Sequence, residues 1–122
     1  MRLMQKRILS IEDRAEMSRL IAVILKGYTV VSATSKADAL RLITSEKFDL
    51  ILSDYHLPDG TGFEVCLFIR TFDQTTPIIF ATSDDSITEA EILTLGAQAI
   101  VRKGPTFVEK LKIAVRNHEF GP

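Results

Sequence analysis

The sequence predicts an α/β fold in which a doubly wound, five-stranded parallel sheet is flanked by five helices. Strand-like and helix-like apolar patterns alternate without interruption along the 122 residues, the arrangement expected of βα units. Leu50-Ile51-Leu52 is apolar at consecutive positions, which suits a strand covered on both faces rather than one facing water. The connections are short, so the strands should run parallel with right-handed crossovers.

The first strand is Arg7-Ile8-Leu9-Ser10-Ile11, ended by Glu12-Asp13. Met17, Leu20, Ile21, Ile24 and Leu25 then recur at helical spacing and Gly27 closes the segment; Asp13 with Glu16 reads as a capping box. Residues 28–33 are rich in β-branched and aromatic types and form the second strand. Ser35 opens a second helix with Ala39, Leu40 and Ile43 inward. The third strand covers residues 48–54 and stops at Asp54, because Tyr55-His56-Leu57-Pro58-Asp59-Gly60 is turn chemistry. A third helix follows Gly60-Thr61-Gly62, with Val65, Cys66 and Ile69 inward. Pro77 precedes the fourth strand, Ile78-Ile79-Phe80-Ala81, which ends at Thr82. Ser86 and Glu89 read as a capping box for a helix that carries Ala90, Ile92 and Leu93 and stops at Gly96. Residues 97–102 are the fifth strand. Thr106 and Glu109 read as a further capping box before a last helix with the stripe Val108, Leu111 and Val115.

This length fits a single domain, residues 1–122, able to bury a core without staples. Hydrophobic residues make up 46% and the net charge is −1 with both signs interspersed, so neither nucleic acid nor a membrane is expected as a direct partner. The N-terminus is basic but no long apolar stretch follows it, so neither a signal peptide nor a membrane span is expected. The lone Cys66 cannot form an internal disulfide, which fits a reducing cytosol and hence a cytoplasmic protein; it reads as a packing residue, and His118 as solvent-exposed.

In a doubly wound sheet the ligand site lies beyond the carboxyl ends of the strands at the point where their order reverses. The residues at those ends here are Glu12-Asp13, Asp54, Thr82 and Lys103. Taken singly, Asp13 reads as a helix cap, Thr82 as an ordinary strand residue and Lys103 as a solvated cation. Together they put three carboxylates at one edge, and two carboxylates about 4 Å apart repel by roughly 4 kcal/mol at the dielectric usual near a protein surface. A divalent cation answers that repulsion. All-oxygen ligands completed by water suit Mg²⁺, and no Cys/His cluster offers a zinc site.

The motifs Ile8-Leu9-Ser10-Ile11-Glu12-Asp13, Asp54-Tyr55-His56-Leu57-Pro58-Asp59-Gly60-Thr61-Gly62, Pro77-Ile78-Ile79-Phe80-Ala81-Thr82, and Gly96-Ala97 followed by Val101-Arg102-Lys103 together resemble the receiver domain of two-component response regulators. The resemblance covers nearly the whole chain. It implies a CheY-like, flavodoxin-like sheet of order 2-1-3-4-5 and a phosphorylation-switched signalling role, not a free-standing enzyme: the domain would catalyse only its own phosphoryl transfer and dephosphorylation. Asp54 would be the phosphoacceptor. Glu12, Asp13, Asp54 and the backbone carbonyl of His56 would hold Mg²⁺, while Thr82 and Lys103 would bind the phosphoryl group. A sensor histidine kinase or a histidine phosphotransfer protein would be the donor. The output partner would read the face made by the fourth helix, fifth strand and fifth helix, with room left for a homodimer.

Four positions depart from the family pattern. Glu12 stands where Asp is also common and would serve through a water. Ile100 replaces the aromatic residue usual on the fifth strand. Gly104 separates Lys103 from Pro105, so no cis bond is expected at the lysine, since cis peptides belong almost wholly to X-Pro steps. Ser83 stands where alanine or glycine is usual, and the His56 imidazole is expected at the mouth of the site. Two rival functions are open to the same residues. A haloacid-dehalogenase-like phosphatase would want an acidic residue where His56 stands, and the chain carries no cap domain. A pseudo-receiver, a phosphorylation-independent interaction domain, typically loses acidic or lysine positions that are all present here.

Overall fold

A computed structural model describes residues 5–121. Five strands, β1 (Arg7–Ile11), β2 (Thr29–Ala33), β3 (Leu50–Asp54), β4 (Ile78–Thr82) and β5 (Ala99–Arg102), form one parallel sheet in the order β2-β1-β3-β4-β5. Helices α1 (Ala15–Ile24), α2 (Lys36–Ser45), α3 (Gly62–Arg70), α4 (Glu89–Thr94) and α5 (Phe107–His118) cover it. A two-residue antiparallel ladder, His56–Leu57 with Gly60–Thr61, sits in the connection between β3 and α3.

The alternation of side chains along each strand splits the core into two layers. Leu9, Ile11, Ile51, Ile78 and Phe80 pack with Ala39, Leu42 and Ile43 of α2, Val65, Cys66 and Ile69 of α3, and Ile92 of α4. Ile8, Leu50, Leu52, Ile79, Ala81 and Val101 pack with Ile21 and Ile24 of α1 and with Phe107, Leu111 and Val115 of α5. Because both faces are covered, the middle strands carry apolar residues at nearly every position, which is what made Leu50-Ile51-Leu52 legible. Cys66 is buried, and burial pushes its thiol pKa up.

Several local expectations are corrected. The capping box of Asp13 and Glu16 does not form: α1 is preceded by Arg14 with no side-chain cap, and the Arg14 amide is taken by Glu12 Oε2 at 3.0 Å. Helix α4 begins at Glu89, not after Ser86; Thr88 caps it by accepting from the Glu91 amide at 3.1 Å, while Ser86 is bonded to Asp84. Thr106 sits at the start of α5 without a side-chain cap bond. Leu20, Ala90, Leu93 and Val108 face solvent, and Leu42 and Phe107 take inward positions instead. His118 is half-buried rather than exposed.

Strands β2 and β5 start later than their apolar runs. Tyr28 donates its amide to Leu25 and Ala97 donates its amide to Ile92, so these residues close the preceding helices. Gly27 (φ +103°) and Gly96 (φ +91°) make both closures feasible, since that backbone region strongly favours glycine. Ser35 does cap α2, accepting from the Asp38 amide at 3.0 Å. A capping box that the sequence reading missed, Thr61 with Glu64, opens α3. No helix among the described residues is long and apolar enough to cross a membrane.

Candidate functional site

Register brings the strand-end residues together. Ile11 lies opposite Ser53, so Glu12 and Asp54, the next residue on each chain segment, leave the sheet side by side. Asp54 lies opposite Ala81, and Thr82 opposite Arg102, which places Lys103 just past the edge. The Lys103 amide donates to the Thr82 carbonyl at 3.0 Å. Its ammonium donates to Glu12 Oε1 at 2.6 Å and to Asp54 Oδ2 at 3.0 Å.

Glu12 is 1% exposed, and the Lys103 and Asp54 side chains are 9% and 12% exposed. A carboxylate so buried needs a partner, because an unpaired charge in that setting is costly by several kcal/mol (about 3–5). Lys103 supplies it. One ammonium does not balance three carboxylates, however. Glu12, Asp13 and Asp54 each offer an oxygen within 4.8 Å of the others, and Asp13 faces solvent. Both Glu12 oxygens already accept hydrogen bonds, from Lys103 and from the Arg14 amide. Asp13 and Asp54 are therefore the freer donors, and hard oxygens beside open solvent fit a cation that keeps several waters.

Two loops border these residues. The loop after β3 is fastened from several sides. Asp59 accepts from the amides of Lys36 and Ala37 at the start of α2, at 2.7 and 2.9 Å. Those amides hold its carboxyl below the usual carboxylate range. Lys36 pairs with Glu64 at 3.1 Å, and that ion pair lowers the Glu64 pKa. Gly62 closes the loop where no side chain fits: a Cβ there would lie 2.3 Å from the Asp54 carbonyl oxygen and 2.7 Å from the Phe80 ring.

The loop after β4 is held differently. Thr82 Oγ1 accepts from the Asp84 amide at 3.0 Å. The Asp84 carboxylate accepts from the Ser86 hydroxyl and amide at 2.5 and 2.9 Å and meets His56 Nε2 at 2.7 Å. The Ser86 hydroxyl first, and His56 next, bring its pKa down to about 2. Arg102 donates to the carbonyls of Asp84, at 2.8 Å, and Ile87. The His56 side chain, 61% exposed, thus reaches from one loop to the other across the mouth of the site, near the position expected of it. Its amide makes only a long contact with Asp54 Oδ1, at 3.4 Å.

Sequence reasoning named Glu12, Asp13, Asp54, His56, Thr82 and Lys103, and the structure brings all six to one edge. It missed Asp84, Arg102 and Lys36, and it read Asp59 only as a turn residue. The polar run Thr82-Ser83-Asp84-Asp85-Ser86 was the available signal for Asp84; nothing in the local pattern marks Arg102. Ile100 is half-buried opposite Phe80, and the aromatic ring beside Phe80 comes instead from Tyr55, with centroids 5.9 Å apart.

Residues 8–116 match the response regulator receiver domain family. The transcriptional regulatory protein KdpE of Mycobacterium tuberculosis is 29% identical over 116 residues, covering 91% of this chain and 51% of that protein. The alkaline phosphatase synthesis transcriptional regulatory protein PhoP of Bacillus subtilis is 34% identical over 103 residues, covering 82% and 43%. This chain thus spans about half the length of such relatives or less. Among solved structures, the chemotaxis response regulator CheY4 of Vibrio cholerae superposes with a TM-score of 0.84 at 27% identity, covering 93% of this chain and 98% of that one. The response regulator TrrA of Thermotoga maritima, determined in complex with Mg²⁺ and BeF, gives a TM-score of 0.84 at 28% identity with the same coverages. With the sheet order, the clustered carboxylates and the family match in agreement, the chain belongs to the response regulator receiver domains of two-component systems.

Proposed function

We propose that Asp54 accepts a phosphoryl group from a phosphohistidine of a sensor histidine kinase or histidine phosphotransfer protein, and that the aspartyl phosphate switches the domain's signalling output. The observation that carries this reading is the Lys103 ammonium bonded at once to buried Glu12 and to Asp54. That arrangement sets the Asp54 carboxylate, the nucleophile of this reading, against a fixed cation at the end of the central strand.

In the transfer, an Asp54 carboxylate oxygen forms a bond to phosphorus as the bond from phosphorus to the donor's imidazole nitrogen breaks, and the imidazole leaves. Phosphoryl transfer depends on positioning and on charge neutralisation more than on covalent help from the protein. Lys103 supplies positive charge on one side of the phosphoryl group. Thr82 can donate its hydroxyl hydrogen to a phosphoryl oxygen. Mg²⁺, held by Asp13, Asp54 and the His56 carbonyl, with Glu12 acting through water, would neutralise charge on the transferring oxygens.

Thr82 Oγ1 also accepts from the Asp84 amide. Movement of the hydroxyl toward the phosphoryl group therefore pulls the loop after β4 or breaks that bond. Such a differential contact is what shifts a two-state equilibrium. The readout face is α4, β5 and α5; with Ile100 in place of an aromatic, the loop 83–88 carries most of the change.

Intact-mass spectrometry after incubation with acetyl phosphate and Mg²⁺ tests the assignment. A gain of about 80 Da, one phosphoryl group, is expected for the native chain and not for Asp54→Asn, nor with excess EDTA. Full labelling of the Asp54→Asn variant would refute the assignment, and undiminished labelling in EDTA would refute the metal role.

A further inference from the structure

A crevice of about 390 Å³ opens beside α4, bordered by Phe63 of α3 and Tyr55 of the loop after β3. Its lining includes the half-buried rings of Tyr55 and Phe63, the buried Ile87 and Ile92, and Leu95. The space is large enough for one aromatic side chain and apolar enough to favour it.

The one charged side chain in its lining is acidic, and the cations nearby, Arg102, Arg70 and His56, are engaged by other groups. Exposed Glu91 lines the crevice, Glu89 lies two residues before it, and Asp84 and Asp85 sit in the loop that delivers Ile87. Arg70 of α3 directs its guanidinium to the carbonyls of Asp73, Thr76 and Gly96. Among the described residues neither Glu89 nor Glu91 forms an ion pair. The nearby Arg102 directs its guanidinium to the carbonyls of Asp84 and Ile87. An apolar slot beside unpaired carboxylates complements an apolar anchor flanked by cations.

We infer that this crevice is a docking site for a partner protein presenting one aromatic side chain with Lys or Arg about one helical turn to either side. The inference is independent of phosphoryl acceptance, and its test uses the unphosphorylated chain, so the two can fail separately. The probe is an alanine-based helical peptide of about 18 residues, long enough to hold a helix, with one Phe flanked by Lys at a spacing of four. Amide NMR shifts of the isotope-labelled protein report its binding.

The expected result is saturable shifts centred on Tyr55, Phe63, Ile87, Glu91 and Leu95. Affinity should fall about tenfold when the peptide's Phe is replaced by Ala, and about threefold when its Lys residues become Glu. Ala90→Phe in the protein fills the slot and should abolish the shifts. Glu91→Lys, a surface change, should reverse the preference between the two charged peptides. Shifts centred elsewhere, or equal binding of the Lys- and Glu-flanked peptides by the native chain, would overturn the inference, as would binding undisturbed by Ala90→Phe.

Discussion

The two loops that border Asp54 are built on opposite plans. Most contacts that anchor the loop after β3 lie away from the carboxylates of the acidic pocket: Asp59 on the α2 amides, Lys36 on Glu64 and the Thr61–Glu64 capping box, while the tight passage at Gly62 fixes it against the Asp54 carbonyl. The loop after β4 is anchored by Thr82, by His56 and by Arg102, the neighbour of Lys103. Under the proposed function, Thr82 and Lys103 are the residues that engage a phosphoryl group. One loop therefore holds the site still, and the other is tied to the atoms that would move. A receiver needs both, because a nucleophile must be fixed while the signal must leave the site.

The largest test of the fixed loop is Gly62→Ala. Its Cβ would meet backbone at 2.3 Å, so the loop or the Phe80 ring must shift, and overpacking of this kind costs about 1–3 kcal/mol. Urea denaturation should show that loss, and Asp54 labelling should slow with it. A variant as stable as the native chain would mean that the loop is not fixed by this passage.

Arg102→Ala should have a smaller effect on global stability, below about 1.5 kcal/mol, because the guanidinium is attached at an exposed position. Its effect on the loop after β4 should be larger in kind. Amide hydrogen exchange at residues 84–88 should speed up by roughly tenfold, with residues 56–61 unchanged. Equal acceleration in both loops would erase the distinction between them.

Asp59→Asn sharpens the same contrast through pH. The folded Asp59 pKa lies below the ordinary 3.8, so its contribution is fully present above that value and is lost as pH falls through the lower folded pKa. Stability curves of native chain and variant should therefore converge in strong acid and separate toward neutrality. A gap that persists at the lowest pH would mean that the loop is held by something other than the ionised carboxylate.

Asp13→Ala should have the smallest effect, and in the opposite direction. Asp13 caps no helix and stands within the carboxylate cluster, so its removal relieves repulsion at no cost to α1. A rise in melting temperature of about 1–2 °C is expected, together with weaker Mg²⁺ binding by titration calorimetry. A fall in melting temperature would show that the repulsion is already screened.

The fold was legible because its cause is repetitive. Consecutive apolar positions in β3 and β4 record burial on two faces, and parallel order then brings Glu12, Asp54, Thr82 and Lys103 to one edge. Helix starts were less legible. Asp13, Ser86 and Thr106 have the right side chains for caps, yet none caps: the Arg14 amide goes to Glu12, Ser86 turns to Asp84, and Thr106 makes no cap bond. A cap is a choice among nearby partners, and the sequence shows the candidates without the distances. Arg102 and Lys36 were illegible for a further reason. Their partners are backbone groups or side chains distant in sequence, and exposed cations are common without a role.

The unequal loops are tested most directly by adding beryllofluoride and Mg²⁺, a phosphoryl mimic for Asp54, and following backbone amide shifts. The structure predicts large changes at Thr82 and residues 83–88, extending to Arg102 and Lys103. Beyond Asp54 and its immediate neighbours, residues 57–61 and the start of α2 should hold still. Changes confined to residues 54–61, with none reaching 83–102, would contradict this division and favour a phosphorylation-independent interaction domain.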